Sequence, residues 1–192
     1  MKLFLQGPSG VGKSYLLQET LASHVQEIAG FTVQRLIEND VQVGFRVAGI
    51  ENEFPQREAV YTQEMTGVFI LQRQRNVFAL EKAILRVEEE SRRLQCKLVF
   101  LDEIGGIELT SNVFMDSLIR ILSSGKPCCG VLKSQENLVH TASILKLGEE
   151  YADCRSKLAA KLEEDGELFT VTAQNRAELR DYLATRFRTF FL

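Results

Sequence analysis

Eight residues near the start of the chain, Gly7-Pro8-Ser9-Gly10-Val11-Gly12-Lys13-Ser14, satisfy the pattern G-x-x-x-x-G-K-[ST] at every fixed position. The glycines let the backbone curl so that successive N–H groups point inward around a phosphate, and a helix beginning there adds partial positive charge. Lys13 is suited to place a point charge between β- and γ-phosphates, and the Ser14 hydroxyl to ligate Mg²⁺. A second set stands ninety residues on, where Leu98-Val99-Phe100-Leu101 is followed at once by Asp102-Glu103. Asp102, at the end of a buried strand, can hold Mg²⁺ through water. Glu103 beside it is placed to polarise a water in line with the γ-phosphate as a general base; the plainer alternative is a carboxylate that caps or solvates a strand end.

Other residues are open to two readings. Glu108, across the Gly105-Gly106 pair from Glu103, either binds metal and orients water or is a surface acid. Arg73 and Arg75 either reach the transferring phosphate as stabilising cations or are solvated. His24, toward the apolar face of the first predicted helix, reads as a packing residue, and His140 has no evident partner. The cysteines, Cys96, Cys128, Cys129 and Cys154, form no C-x-x-C pair and read as reduced thiols packed as small hydrophobes in a cytoplasmic protein.

These groups need elements to hold them. Leu3-Phe4-Leu5 is a short buried strand stopping at the Gly-Pro-Ser-Gly turn; Leu17, Leu21, Val25 and Ile28 then recur at helical spacing, with Gly30 where a C-terminal cap is expected. Period-two alternation from Phe31 to Val47 around Glu38-Asn39-Asp40 predicts a β-hairpin. Residues 51–76 carry Pro55 and several acids and are expected to form a lid or insertion, with a short strand at Gly67–Leu71. Val77, Leu80, Ile84, Val87 and Leu94 mark a second helix whose opposite face, with Glu88, Glu89, Arg92 and Arg93, is expected to be solvated. A third helix runs from Ser111 to Gly125 with Phe114, Leu118, Ile121 and Leu122 inward, followed by a strand at Cys128–Leu132. A helix around Ala152–Glu163, a strand at Leu168–Val171 and a helix from Asn175 to about Arg186 complete the chain, and the apolar end Phe187–Leu192 needs covering. Strands and helices alternating about a buried apolar strand predict an α/β sheet covered on both faces.

The whole-chain numbers agree with one such domain over residues 1–192. Of 192 residues 45% are hydrophobic and 26% charged, enough for a sizeable core without disulfide or metal staples. The net charge of −3 gives no global field for a nucleic acid or an anionic membrane, so anion binding must be local. No apolar run reaches the roughly 18 residues needed to span a bilayer, and no secretory signal pattern opens the chain.

Taken together, GPSGVGKS, Gly30-Phe31, Val43-Gly44-Phe45-Arg46-Val47, LDEIGGIEL, Phe169-Thr170-Val171-Thr172 and Asn175-Arg176 resemble the THEP-type nucleoside-triphosphatases, small P-loop NTPases of bacteria, archaea and eukaryotes. The resemblance covers most of the chain, and its specific element is D-E-I-G-x-x-E-L from Asp102 to Leu109. It implies a three-layer P-loop NTPase fold of the RecA-related type, with a mainly parallel central sheet plus the antiparallel hairpin, and slow Mg²⁺-dependent hydrolysis of ATP, GTP and other nucleoside triphosphates. By position Lys13, Ser14, Asp102 and Glu103 match the family's functional residues, and Asn175-Arg176 match a C-terminal motif near the nucleobase. The chain departs from the family pattern where Gly106-Ile107 replaces Lys-Met and where Gly130-Val131 replaces Gly-Thr, although Lys133 and Ser134 are close.

Three functions stay open on these residues. One is hydrolysis with Glu103 activating water; another is a kinase in which the 51–76 segment closes over an acceptor; the last is a nucleotide-binding regulatory protein with vestigial turnover. Nucleobase preference and oligomeric state are not legible.

Overall fold

The computed structural model describes residues 1–136, 138–139 and 150–191, so His140 and the terminal Leu192 lie outside the described residues. Nine strands form one sheet among them: β1 Lys2–Gln6, β2 Ile28–Glu38, β3 Val41–Gly49, β4 Glu58–Val60, β5 Val68–Leu71, β6 Gln74–Arg75, β7 Leu98–Ile104, β8 Cys128–Leu132 and β9 Glu167–Thr170. The order is β6-β5-β3-β2-β7-β8-β1-β9, with β4 joined to β2. From β2 to β9 all neighbours are parallel, while β2-β3, β3-β5 and β5-β6 are antiparallel. The helices are α1 Lys13–Leu21, α2 Val77–Ser91, α3 Asn112–Ser123, α4 Glu150–Asp165 and α5 Arg176–Phe191.

The continuous apolar runs of β1, β7 and β8 are buried on both sides, as a parallel sheet between helix layers demands. Leu3, Leu5, Leu98 and Phe100 point into a core with Leu16, Leu17, Leu183 and Phe187 of α1 and α5. Phe4, Val99 and Leu101 point the other way, toward Ile84, Leu118 and Leu158 of α2, α3 and α4. Ser111 starts α3 by accepting the Phe114 amide at 3.1 Å. Its hydroxyl also donates to Glu81 of α2 at 2.6 Å, so the same cap ties two helices together.

The hairpin turns at Asn39 and Asp40, both at positive φ (49° and 62°). Paired turn residues of that kind match the right-handed twist of the flanking strands. Its first strand is longer than a simple hairpin requires. Ile28–Phe31 pair with Leu98–Leu101 of β7 inside the parallel sheet, whereas Arg35–Ile37 pair with Glu58–Val60 of β4 further along. Between the two pairings β7 turns away from β2, and the Val33 amide donates instead to an Asp102 carboxylate oxygen at 3.1 Å. The hairpin is thus an extension of the central sheet that rises past the ends of the parallel strands.

Several expectations are corrected. The first helix ends at Leu21, a 3₁₀ segment follows over Ala22–Glu27, and Ile28 and Gly30 belong to β2. Gly30 is no helix cap: a Cβ there would fall on the Phe100 carbonyl oxygen of the neighbouring strand. Leu94 lies beyond α2 and is fully exposed. Glu88 is buried rather than solvated; it accepts from Ser117 Oγ (2.6 Å), from Arg120 Nε and Nη2 (2.9 Å each) and from Arg92 Nη2 (2.6 Å). Burying an apolar face on α3 brought this carboxylate inward, and the arginines keep it charged: hydrogen bonds from Arg120 and Ser117 hold it at about 2. The last helix runs on to Phe191, and Phe187 is core while His24 stacks on Phe191 at 3.9 Å between ring centroids.

Candidate active site

The carboxyl ends of β1, β7 and β8 meet at the loop that follows β1. Gly7, Gly10 and Gly12 all take positive φ, and Gly12, at 95°, caps α1 with its carbonyl accepting the Leu16 amide at 3.0 Å. A side chain at Gly12 would be strained, and its Cβ would sit 3.1 Å from the Arg176 guanidinium. Lys13 opens α1 with its ammonium turned back into the loop, donating to Gly7 O (2.9 Å) and Pro8 O (2.8 Å). Burial lowers the Lys13 pKa, opposed by the nearby Glu103 and Asp102. An ammonium has three donors, so one hydrogen is left over from these two carbonyls.

Ser14, one residue along the helix, donates from Oγ to Asp102 Oδ1 at 2.7 Å. Asp102 is 2% exposed; burial and then the neighbouring Glu103 push its carboxyl well above the usual range, against the bonds from Ser14 and Val33. A hydroxyl and a carboxylate touching in a buried site beside a second carboxylate are hard oxygen donors that a dication would suit. Thr32, next to the Val33 amide that binds Asp102, is buried with its hydroxyl unpartnered and lines the same cavity. No cluster of three or more His, Cys, Asp or Glu able to hold a metal occurs among the described residues, so an ion here would need phosphate or water oxygens to complete its shell.

Glu103 departs from the extended path of β7, at φ 54°. A non-glycine residue there carries roughly 1–2 kcal/mol of backbone strain, and the result is a half-buried carboxylate that lines the cavity. Glu108 is fully buried and folds back over the glycine pair, accepting from Gly105 N (2.5 Å) and Gly106 N (2.6 Å). Burial raises its pKa. A Cβ on residue 106 would lie 2.7 Å from Glu108 Oε2, so a side chain there would have to shift the outer oxygen of that carboxylate. Glu108 is therefore a brace for the turn after β7 as well as part of the cavity wall.

The cavity measures about 650 Å³ and runs from Ser9, Gly10, Lys13 and Ser14 past Asp102 and Glu103 to the raised strands β2, β3 and β5. Arg73, in the β5-β6 turn, and Arg75, in β6, are exposed and do not line it. The cations along its walls are Lys13, Arg35, Arg57 and Lys133. Arg57 is the addition that spacing does not reveal: it sits just before β4, close enough to both Lys13 and Asp102 to influence their charge. Pro55 marks the loop that brings it there, which is the legible part of the signal. Lys133 follows β8, the strand between β1 and β7.

At the other end, the Asn175 side chain accepts from Thr172 N (2.8 Å) and donates to Thr170 O (2.8 Å). Each end of its amide makes one bond within the turn between β9 and α5, which leads directly into Arg176. The Arg176 and Arg57 guanidinium carbons lie 5.9 and 6.0 Å from the centre of the half-exposed Tyr15 ring. Arg155 of α4 locks the far side, donating to Lys133 O (3.0 Å) and Gln6 Oε1 (2.6 Å).

A family model described as NTPase matches residues 2–184, nearly the whole chain. The chain belongs to this NTPase family. Among similar curated proteins, the nucleoside-triphosphatase THEP1 of Methanosarcina acetivorans is 28% identical and covers 97% of each chain. THEP1 of Methanocaldococcus jannaschii is 24% identical over 93% of this chain and 92% of its own. A mouse cancer-related nucleoside-triphosphatase homolog is 28% identical over 92% and 91%. The crystal structure of THEP1 from Aquifex aeolicus superimposes with a TM-score of 0.57 at 19% identity, covering 96% of this chain and 98% of that one, which establishes likeness of fold. NTPase-family membership accounts for the phosphate loop at the end of β1 and the acid pair at the end of β7, with β8 between them. No helix among the described residues is long and apolar enough to cross a membrane. Cys96, Cys128, Cys129 and Cys154 are free thiols, the first three buried, and burial pushes Cys128 up to about 12.

Proposed function

We propose that this chain hydrolyses nucleoside triphosphates, ATP and GTP among them, to the diphosphate and phosphate, with Mg²⁺ held by Ser14 and Asp102. The observation that carries the reading is Glu103: a carboxylate in a left-handed backbone conformation, next to the Ser14–Asp102 pair and on the wall of the phosphate-loop cavity. Strain concentrated at such a residue is the kind that function retains.

The amides of Gly7 to Ser14 cradle the phosphates, and Lys13 exchanges loop carbonyls for phosphate oxygens. Mg²⁺, when bound, offsets charge on the phosphate oxygens. Glu103 accepts a proton from water as the water oxygen bonds to the γ-phosphorus and the bond to the bridging oxygen breaks. Arg57, on the 51–76 segment acting as a lid, and Lys133 supply positive charge to the transferring group. Arg176 and Tyr15 offer a flat cationic and aromatic edge for a nucleobase without a base-specific code, which suits broad nucleotide use. The net charge of −3 argues against nucleic-acid or membrane partners, and the reduced thiols suit the cytoplasm.

Glu103→Gln tests the assignment. Loss of a general base costs about 10²–10⁴ in rate, so phosphate release from Mg·ATP should fall by at least about a hundredfold while nucleotide affinity, read by fluorescent-nucleotide titration, is retained. An unchanged kcat removes Glu103 from the mechanism.

A further inference from the structure

Consecutive residues of β2 tie the metal-side carboxylate and the lid arginine to one strand. The Val33 amide donates to Asp102 Oδ2 at 3.1 Å, the Gln34 side-chain amide to the Gln56 carbonyl at 2.5 Å, and the Arg35 amide to the Arg57 carbonyl at 2.9 Å. Sheet register makes these bonds possible together. β3 occupies one edge of β2 over the whole stretch; on the other edge β7 pairs only as far as Phe31, and β4 takes up the pairing again at Arg35. Asp102, near the end of β7, and Arg57, the residue before β4, therefore face each other across a gap on the same edge. β2 is the ruler between them.

Arg57 is exposed and lines the cavity, with its guanidinium carbon 6.0 Å from the centre of the Tyr15 ring. Its backbone is held on both sides. The Phe54 ring meets Phe100 of β7 edge-on, with centroids 5.2 Å apart, and the Tyr61 amide donates to Ile37 O at 2.8 Å. The Arg35–Glu58 ion pair, at 3.8 Å between half-exposed side chains, adds little. Gln34 does more, being 6% exposed and bonded to the carbonyl just before Arg57. That carbonyl belongs to the peptide plane preceding the Arg57 Cα, and the carbonyl held by the Arg35 amide belongs to the plane following it. Fixing both planes fixes the direction in which the Arg57 side chain leaves the chain. We propose that Gln34 is a positioning residue for hydrolysis: it aims Arg57 at the γ-phosphate before nucleotide arrives. A charge that stands ready stabilises the transition state without reorganising during the reaction. The assignment rests on the role of Arg57 proposed above.

The test is steady-state phosphate release from Mg·ATP by the full chain in the parent, Gln34→Met, Arg57→Ala and the double variant. Met fills a similar volume without a donor. A misplacement of about 1 Å can cost about a hundredfold, so Gln34→Met should lower kcat at least about fivefold while KM stays within about twofold. In the Arg57→Ala background the same change should lower kcat less than about twofold, because the residue it positions is gone. Fluorescent-nucleotide titration reports whether each variant retains the site. If Gln34→Met binds no nucleotide, Gln34→Asn, which keeps an amide but shortens its reach by one methylene, goes through the same cycle. An unchanged kcat, a loss confined to KM, or a loss of the same size with and without Arg57 overturns the role of Gln34. If Arg57→Ala turns over like the parent, the Arg57 assignment falls and Gln34 with it while hydrolysis stands; if the parent releases no phosphate, the hydrolase reading itself falls.

Discussion

Arginine identity is decided by where a guanidinium stands, and two residues of the same type separated by sixteen positions have opposite fates. Arg73 is in an exposed turn outside the cavity, whereas Arg57 lines it near Lys13 and Asp102. Removing a preorganised charge that stabilises a transition state costs roughly 10²–10³ in kcat. Arg57→Ala should therefore lower phosphate release at least about tenfold, allowing for its exposure, with Arg73→Ala within about threefold of the parent; steady-state kinetics at saturating Mg·ATP checks both. Equal effects of the two substitutions would remove Arg57 from the site. Asn175 gives the complementary lesson: its amide bonds within the β9-α5 turn through both its oxygen and its nitrogen, and so braces the start of the helix that carries Arg176.

At the level of elements, α2 and α3 are joined by apolar packing and by one buried carboxylate. Glu88 binds Ser117, which is wholly buried, and two arginines whose outer ends are solvated. Its pKa is lowered from 4.5 to about 2, so folding favours the ionised form. As pH falls the unfolded chain takes up the proton first. Glu88 therefore contributes its full stability above about 4.5 and loses it as pH drops toward about 2. Glu88→Gln should cost about 1–2 kcal/mol at neutral pH, the difference between charge-assisted and neutral hydrogen bonds. Its stability should also fall less steeply than the parent's between pH 4.5 and 2. Urea unfolding across pH measures both, and parallel acid limbs would show that Glu88 is not held ionised. Amphipathic spacing alone assigns Glu88 to solvent because it identifies the apolar stripe of α2 but not which polar neighbour α3 will cover.

For the whole molecule, the central sheet brings three strand ends separated by many tens of residues to one loop. Ligand binding there should stabilise the entire fold, since the loop, Asp102 and Val33 join β1, β7 and β2. At a hundred times Kd, nucleotide adds about 2.7 kcal/mol, which for a chain of this size raises Tm by roughly 5–10 °C. Differential scanning fluorimetry with Mg·ADP should show that rise in the parent and none in Lys13→Ala. A shift retained in Lys13→Ala would mean that nucleotide binds elsewhere.

The phosphate loop, the acid pair, the hairpin and the alternation of strands and helices were legible in the sequence because each is local. A motif fixes backbone and charge within eight residues, and periodicity reports which face is buried. Gly30 shows the limit of the same locality: a helix cap is a local inference, while the carbonyl that forbids a side chain there belongs to Phe100 on another strand. Only the tertiary structure decided that β2 leaves β7 at the point where Val33 binds Asp102, and that Arg57 rather than Arg73 faces the cavity. Those facts depend on pairings between distant segments, whose register and approach are set by packing the complete sheet between its helices.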